Sequence, residues 1–367
     1  MPDPRIEKWA DALVRFCLDV RPGDLMLVRA TPEAAPLVRE VYRRALLAGG
    51  HVTTVIALPG MEEVFYTVAN DDQLRHVPPV EELYTERYDC LLNIAAATNT
   101  QALSSVDPAR LRLAGQARGR LMETRMARSA AGEVRWCGTL YPTEAYAQDA
   151  AMSLAEYEAF VFDACRLNEP DPVAAWLQQR DIQQRLIDWL TPRDRVHILG
   201  PDIDITMSVK GRTWANSYGL RNFPSGEIFT GPIEDSAEGT IRFTYPASVN
   251  GRQVEDIRLW FEQGKVVRAT AARNEDYLRA MLDSDAGARY LGELGIGANF
   301  GIQRFTGSIL FDEKIGGTVH LAVGRSYPET GGVNQSVIHW DMVADLRRGG
   351  EIRVDGEPFA VDGRFQV

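Results

Sequence analysis

Long apolar runs are missing from this chain, and so are the short motifs that announce serine or nucleotide chemistry. No GxSxG elbow and no glycine-rich phosphate loop occurs anywhere, so nucleophilic serine catalysis and nucleotide hydrolysis lack a foothold. Cysteine is scarce: Cys17, Cys90, Cys137 and Cys165 stand singly with no CxxC pair and read as reduced core thiols. Positive charge is in deficit, 40 Lys and Arg against 51 Asp and Glu, and a net charge of -11 argues against a nucleic-acid partner. The opening MPDPRIEKWADALVRFC carries charges every few residues and reads as an amphipathic helix. It has neither the apolar run of a signal peptide nor the length of a membrane span, from which a cytoplasmic location is expected.

What is present is the composition of a globular protein, 45% hydrophobic and 25% charged over 367 residues, a length at which one core usually splits in two. The first half alternates β-branched runs with helical patterns: LMLVRA at 25–30, a helix over 32–48, HVTTVIA at 51–57, and CLLNIAA at 90–96. That rhythm predicts an α/β domain with a mostly parallel sheet. Helical spacing recurs over 154–167 and 174–190. From Arg195 strands dominate, among them VHILG, GTVHLAVG and SVIHWDMVA, with frequent glycines between them. The reading is a two-domain α/β chain: residues 1–190 as the N-terminal domain, and residues 191–367 as a strand-rich, mixed α+β catalytic domain. One strong helix is expected in the second half, over 274–294, capped at Asn274 and ending at Glu293.

Histidines number only five, which makes the placement of His320 and His339 informative. In SVIHWDMV, alternation sends Ile338, Trp340 and Met342 to one face and His339, Asp341 and Val343 to the other. In TVHLAVG, Val319, Leu321 and Val323 form one face, and His320 shares the other with Thr318, Ala322 and Gly324, which predicts room around the imidazole. Imidazole and carboxylate together suit Zn, Mn, Co or Fe. Three more carboxylates lie nearby in sequence: Glu227 in FPSGEIFTGP, Glu293 in YLGELGIG, and Glu313 in ILFDEKIGGT. Shared carboxylates of this kind support a pair of adjacent cations. Lys314, Arg325 and Asn334 occupy the same loops, where they could contact substrate or cap turns, with turn duty the favoured reading.

Four segments carry a family resemblance: FPSGEIFTGPIEDSAEGTIRFTYP, RYLGELGIGANFGIQRFTGSILFDEKIGGTVHLAVGRSYPETGG, NQSVIHWDMV and, more loosely, RWCGTLYPTEAYAQDAAMS. With them the chain resembles, over nearly its full length, the M29 metallopeptidases, the aminopeptidase T and aminopeptidase S group. The resemblance implies a homodimer that removes N-terminal residues from short peptides with two divalent ions (Zn, Co, Mn or Mg). It implies Glu227, Glu293, Glu313, His320, His339 and Asp341 as metal ligands, Tyr327 of GRSYPE as the active-site phenol, and Glu293 or Glu313 as the proton shuttle. Two departures stand out: the stretch from Glu313 to His320 is about two residues longer than in the thermophilic enzymes, and the loop from His320 to His339 is comparatively short. Two rival readings use the same residues. His320, His339 and Asp341 form the ligand type of a mononuclear iron(II) ring-cleaving dioxygenase, and the fold also suits a binding protein without catalysis.

Overall fold

In a computed structural model, which describes residues 3–249 and 252–367, the chain divides into two compact units. One comprises the residues up to Ala174 together with Gly219–Pro224; the other comprises Ala175–Tyr218 and Ser225–Val367. The division falls within the helix Pro172–Leu190, where the sequence reading puts it near residue 190. The reason is packing: Leu186, Ile187 and Leu190 of this helix belong to the core of the second unit.

The first unit is built on a five-stranded parallel sheet, in the order 51–56, 25–30, 90–95, 135–140 and 222–223. Its inner strands are short apolar runs because a parallel sheet covered by helices is buried on both faces, as Met26, Leu27 and Val28 are. The first helix starts at Pro4, capped by the Asp3 carboxylate, and runs on as a π-helical turn from Ala12 to Cys17. Met1 and Pro2 of the expected helix lie outside the described residues. All four cysteines are buried and none is in a disulfide. Among the described residues no helix is long and apolar enough to cross a membrane.

The second unit holds a two-stranded ribbon, 247–249 with 252–254, and two larger antiparallel sheets whose apolar faces share one core, with Ile198, Ile205, Ile241 and Leu259 on one sheet and Leu294, Val319, Leu321, Trp340 and Met342 on the other. The first sheet has eight strands. The second, which carries the candidate site, has five, in the order 339–345, 318–324, 291–297, 227–230 and 215–217. Strands 291–297 and 318–324 are buried at every position.

The helix expected over 274–294 does not form at that length. The helix in this region spans only Glu275–Leu282, and Glu293 lies inside the strand Leu291–Gly297 instead of at a helix end. The chain turns at Asp285, whose carboxylate accepts from the amide of Gly287, the hydroxyl of Ser336 and the amide of Val337. The strand that follows needs its glycines. A Cβ would stand 2.2 Å from the Arg325 carbonyl at Gly292, and 2.1 Å from the Ile315 carbonyl at Gly297.

Candidate metal centre

Strand alternation sends Leu294, Ile296, Leu321 and Trp340 into the core, and so turns Glu293, His320, His339 and Asp341 to the opposite face of the five-stranded sheet. Glu227, beside the core residue Ile228, joins them there. The backbone of Glu227 is fixed by the buried Gln183 amide, which donates to its carbonyl at 2.9 Å. His320 is fully buried, and the space for its ring comes from Gly295 on the neighbouring strand, where a Cβ would meet the imidazole at 2.0 Å. The ring is thus packed against backbone, where the sequence reading expected open room around it.

The site residues form two donor sets whose candidate ligand atoms lie within 4.8 Å of one another: Glu227, Glu313 and His320 in one, Glu293, His339 and Asp341 in the other. Glu293 spans both. Its Oε1 is 3.2 Å from His320 Nε2, and its Oε2 is 3.4 Å from His339 Nε2. Asp341 Oδ2 lies 3.5 Å from His339 Nε2, and Glu227 Oε2 lies 3.6 Å from His320 Nε2. His339 Nδ1 donates to the Arg325 carbonyl at 2.7 Å, which fixes the tautomer and turns Nε2 to the carboxylates. Three buried atoms of these sets have no hydrogen-bond partner: Glu227 Oε2, Asp341 Oδ1 and His320 Nδ1. Two buried carboxylate oxygens without donors, beside imidazole nitrogens, are what a divalent cation completes, so the donor set fits a metal.

Charge in the metal-free site follows from burial and proximity. Burial works against ionised Glu293, but the hydrogen bonds from His320 and His339 outweigh it and hold the carboxyl at about 2. Burial likewise works against both imidazolium ions. The Glu293 hydrogen bond carries His320 up to about 9, and the Asp341 charge carries His339 up to about 10. Burial pushes Glu227 up to about 7 against the pull of Lys314, and Asp341 up to about 6 against the pull of His339.

Three residues around the sets complete the picture. Tyr327 stacks edge-on over His339, ring centroids 5.0 Å apart, with Phe229 at 5.6 Å. Desolvation and the charges of Glu293 and Asp341 raise its pKa well above the usual phenol range, which keeps the hydroxyl a donor. Asp312 accepts from the amide and hydroxyl of Thr306 at 2.7 and 2.9 Å, pinning the segment ahead of Glu313, and burial pushes its carboxyl up to about 7. Lys314 is the residue that the sequence reading missed. Arg325 and Asn334 do brace loops, through the carbonyls of Ser336, Gly287 and Gly324. The Lys314 ammonium, fully buried, instead contacts Glu313 Oε1 and lies 3.5 Å from Glu227 Oε1. Its position immediately after Glu313, in a chain with few lysines, was the available signal. A cavity of about 120 Å³ opens beside His339 and Asp341, walled by Val249, Phe305 and Ile309.

Known proteins are similar to this chain in sequence and in fold. The chain is 29% identical to Aminopeptidase 2 of Geobacillus stearothermophilus, across 99% of this chain and 98% of that one. It is 26% identical to Aminopeptidase T of Thermus thermophilus, across 96% and 94%. Among solved structures, wild-type AmpT from Thermus thermophilus superposes with a TM-score of 0.85 at 23% identity, covering 99% of both chains. A 2,5-dihydroxypyridine dioxygenase from Pseudomonas putida KT2440 shares the fold at a TM-score of 0.58 and 14% identity, over 98% and 96%. The profile of the family described as Thermophilic metalloprotease (M29) matches residues 2–365, and the chain belongs to that family.

Proposed function

We propose that the protein is a metal-dependent aminopeptidase that releases N-terminal residues from short peptides at two cation positions joined by Glu293. The observation that carries this reading is the Glu293 carboxylate itself, with one oxygen turned to each histidine. Glu293 with His339 and Asp341, and Glu227 with Glu313 and His320, are the residues that would hold cations, and Zn, Co, Mn and Mg all accept donors of this kind. A divalent ion bound there would supply Lewis acidity, activating water and polarising the scissile carbonyl.

The remaining work falls to side chains. Tyr327, protonated over the whole neutral range, donates its hydroxyl to the oxygen on which charge develops. Glu293 and Glu313 are the two carboxylates placed to carry the proton from water to the leaving amine. The small cavity beside His339 and Asp341 offers room for one apolar side chain of modest size. We extend the reading to a cytoplasmic homodimer that does not engage nucleic acid, in keeping with a net charge of -11. Sedimentation of the purified protein tests the dimer.

The mononuclear iron alternative requires His320, His339 and Asp341 around one ion, whereas His320 falls in a different donor set from the other two. The test of function is release of free amino acids from short peptides with and without a chelator. Hydrolysis that survives metal removal refutes metal catalysis, and iron with oxygen-dependent cleavage of an aromatic diol refutes the peptidase.

A further inference from the structure

The two donor sets differ in one respect: only one already contains a side-chain cation other than histidine. Among the described residues, Glu293 and Asp341 pair with histidine alone, while Glu227 and Glu313 both meet Lys314. Lysine is rare in this chain, with only Lys8, Lys210, Lys265 and Lys314 among 40 basic residues, and Lys314 has no exposed surface. Its backbone is tied at both ends: the amide donates to the Phe311 carbonyl and the carbonyl accepts from the Asn299 amide, each at 3.0 Å. The side chain therefore has a fixed root and no solvent in which to withdraw. The ammonium is a compact point charge with three donors, unlike the planar guanidinium that supplies most of the basic groups in the chain.

We propose that the Lys314 ammonium is a resident cation filling the Glu227–Glu313–His320 position, so that each chain carries one divalent ion, on Glu293, His339 and Asp341, in place of the pair that the family resemblance implies. This rests on the metallopeptidase reading above. A divalent ion bonded to Glu227 and Glu313 at roughly 2.0–2.2 Å would press against an ammonium touching the same oxygens. Two like charges in a buried site repel strongly, and neither has water to screen it. With lysine in place, one of the two negative charges of Glu227 and Glu313 is balanced without metal. Lys314 is thus a positioning residue, holding Glu313 where it can exchange a proton with substrate.

Metal stoichiometry tests this. Metal-stripped wild type and Lys314→Met are loaded with Zn, passed through a desalting column, and assayed for metal and for thermal melting. One ion on the wild type and two on Lys314→Met is the expected result, with a larger metal-induced rise in melting temperature for the variant. Two ions on the wild type, or one on both proteins, overturns the inference. No ion on the wild type overturns the metallopeptidase reading and the inference with it. Two further measurements do not depend on the folding of Lys314→Met. Mn-loaded wild type should show the magnetic resonance signature of an isolated ion, and a spin-coupled pair overturns the proposal. Glu313→Gln should keep its one ion with affinity within a few-fold of wild type, and loss of that ion would show that Glu313 holds metal, not lysine.

Discussion

A side chain on Gly295 would occupy the space of the His320 imidazole: its Cβ would stand 2.0 Å from both Cε1 and Nε2 of the ring. The two residues are direct partners across neighbouring antiparallel strands. Gly295→Ala should therefore push His320 off Glu293 and lower metal affinity by about 10- to 100-fold, the scale seen when a partner that orients a metal ligand is lost. Isothermal titration of the stripped variant measures this. Wild-type affinity would mean that the ring position is not needed for binding.

Glu293→Gln keeps the shape of the bridge and removes its charge. Both imidazoles lose the carboxylate that now holds their protons. Peptide hydrolysis should fall by at least about 100-fold, with weakened metal retention on dialysis. An active, metal-replete Glu293→Gln protein would remove the bridge from the mechanism.

The site was legible where local periodicity decides geometry, and illegible where contacts distant in sequence do. Alternation alone set His339 and Asp341 side by side, and they stand 3.5 Å apart, because a strand enforces a two-residue period whatever surrounds it. The parallel strand at 25–30 was readable for a related reason: burial on both faces leaves the continuous apolar run Met26, Leu27, Val28. Glu293 was assigned to a helix because LGELGIG shows no strand alternation. Its glycines answer to Arg325, His320 and Ile315, which only the tertiary structure brings near. Lys314 looked like an ordinary charge beside an acidic run. Its burial depends on Asn299 and Phe311 fixing the backbone, and nothing within a few residues of Lys314 records that contact with Asn299.

Tyr327→Phe isolates the hydroxyl, since the ring contacts with His339 and Phe229 remain. If the hydroxyl stabilises the developing oxyanion, kcat should drop by roughly 10²- to 10³-fold while KM and metal content stay near wild type. A drop in kcat below about three-fold would assign Tyr327 to packing instead.

Metal affinity should rise with pH, and the sign follows from the histidines. In the metal-free protein His339 and His320 hold their protons to about 10 and about 9, above the ordinary 6.5, because Asp341 and Glu293 stabilise the imidazolium ions. Their contribution to folding is fully present below 6.5 and fades as pH climbs through those raised values, so the metal-free protein should melt at lower temperature as alkalinity increases. Glu293 acts at the other end: held at about 2, it stabilises above its ordinary 4.5 and loses that effect only in strong acid. A metal ion needs neutral His339, so at neutral pH binding must expel the Nε2 proton while Nδ1 keeps its hydrogen bond to Arg325. One displaced proton tightens Kd about tenfold per pH unit between about pH 6 and about pH 8. Calorimetry in buffers of different ionisation enthalpy counts the released protons directly. A Kd unchanged across that range would mean that His339 is already neutral in the empty site, or is no ligand.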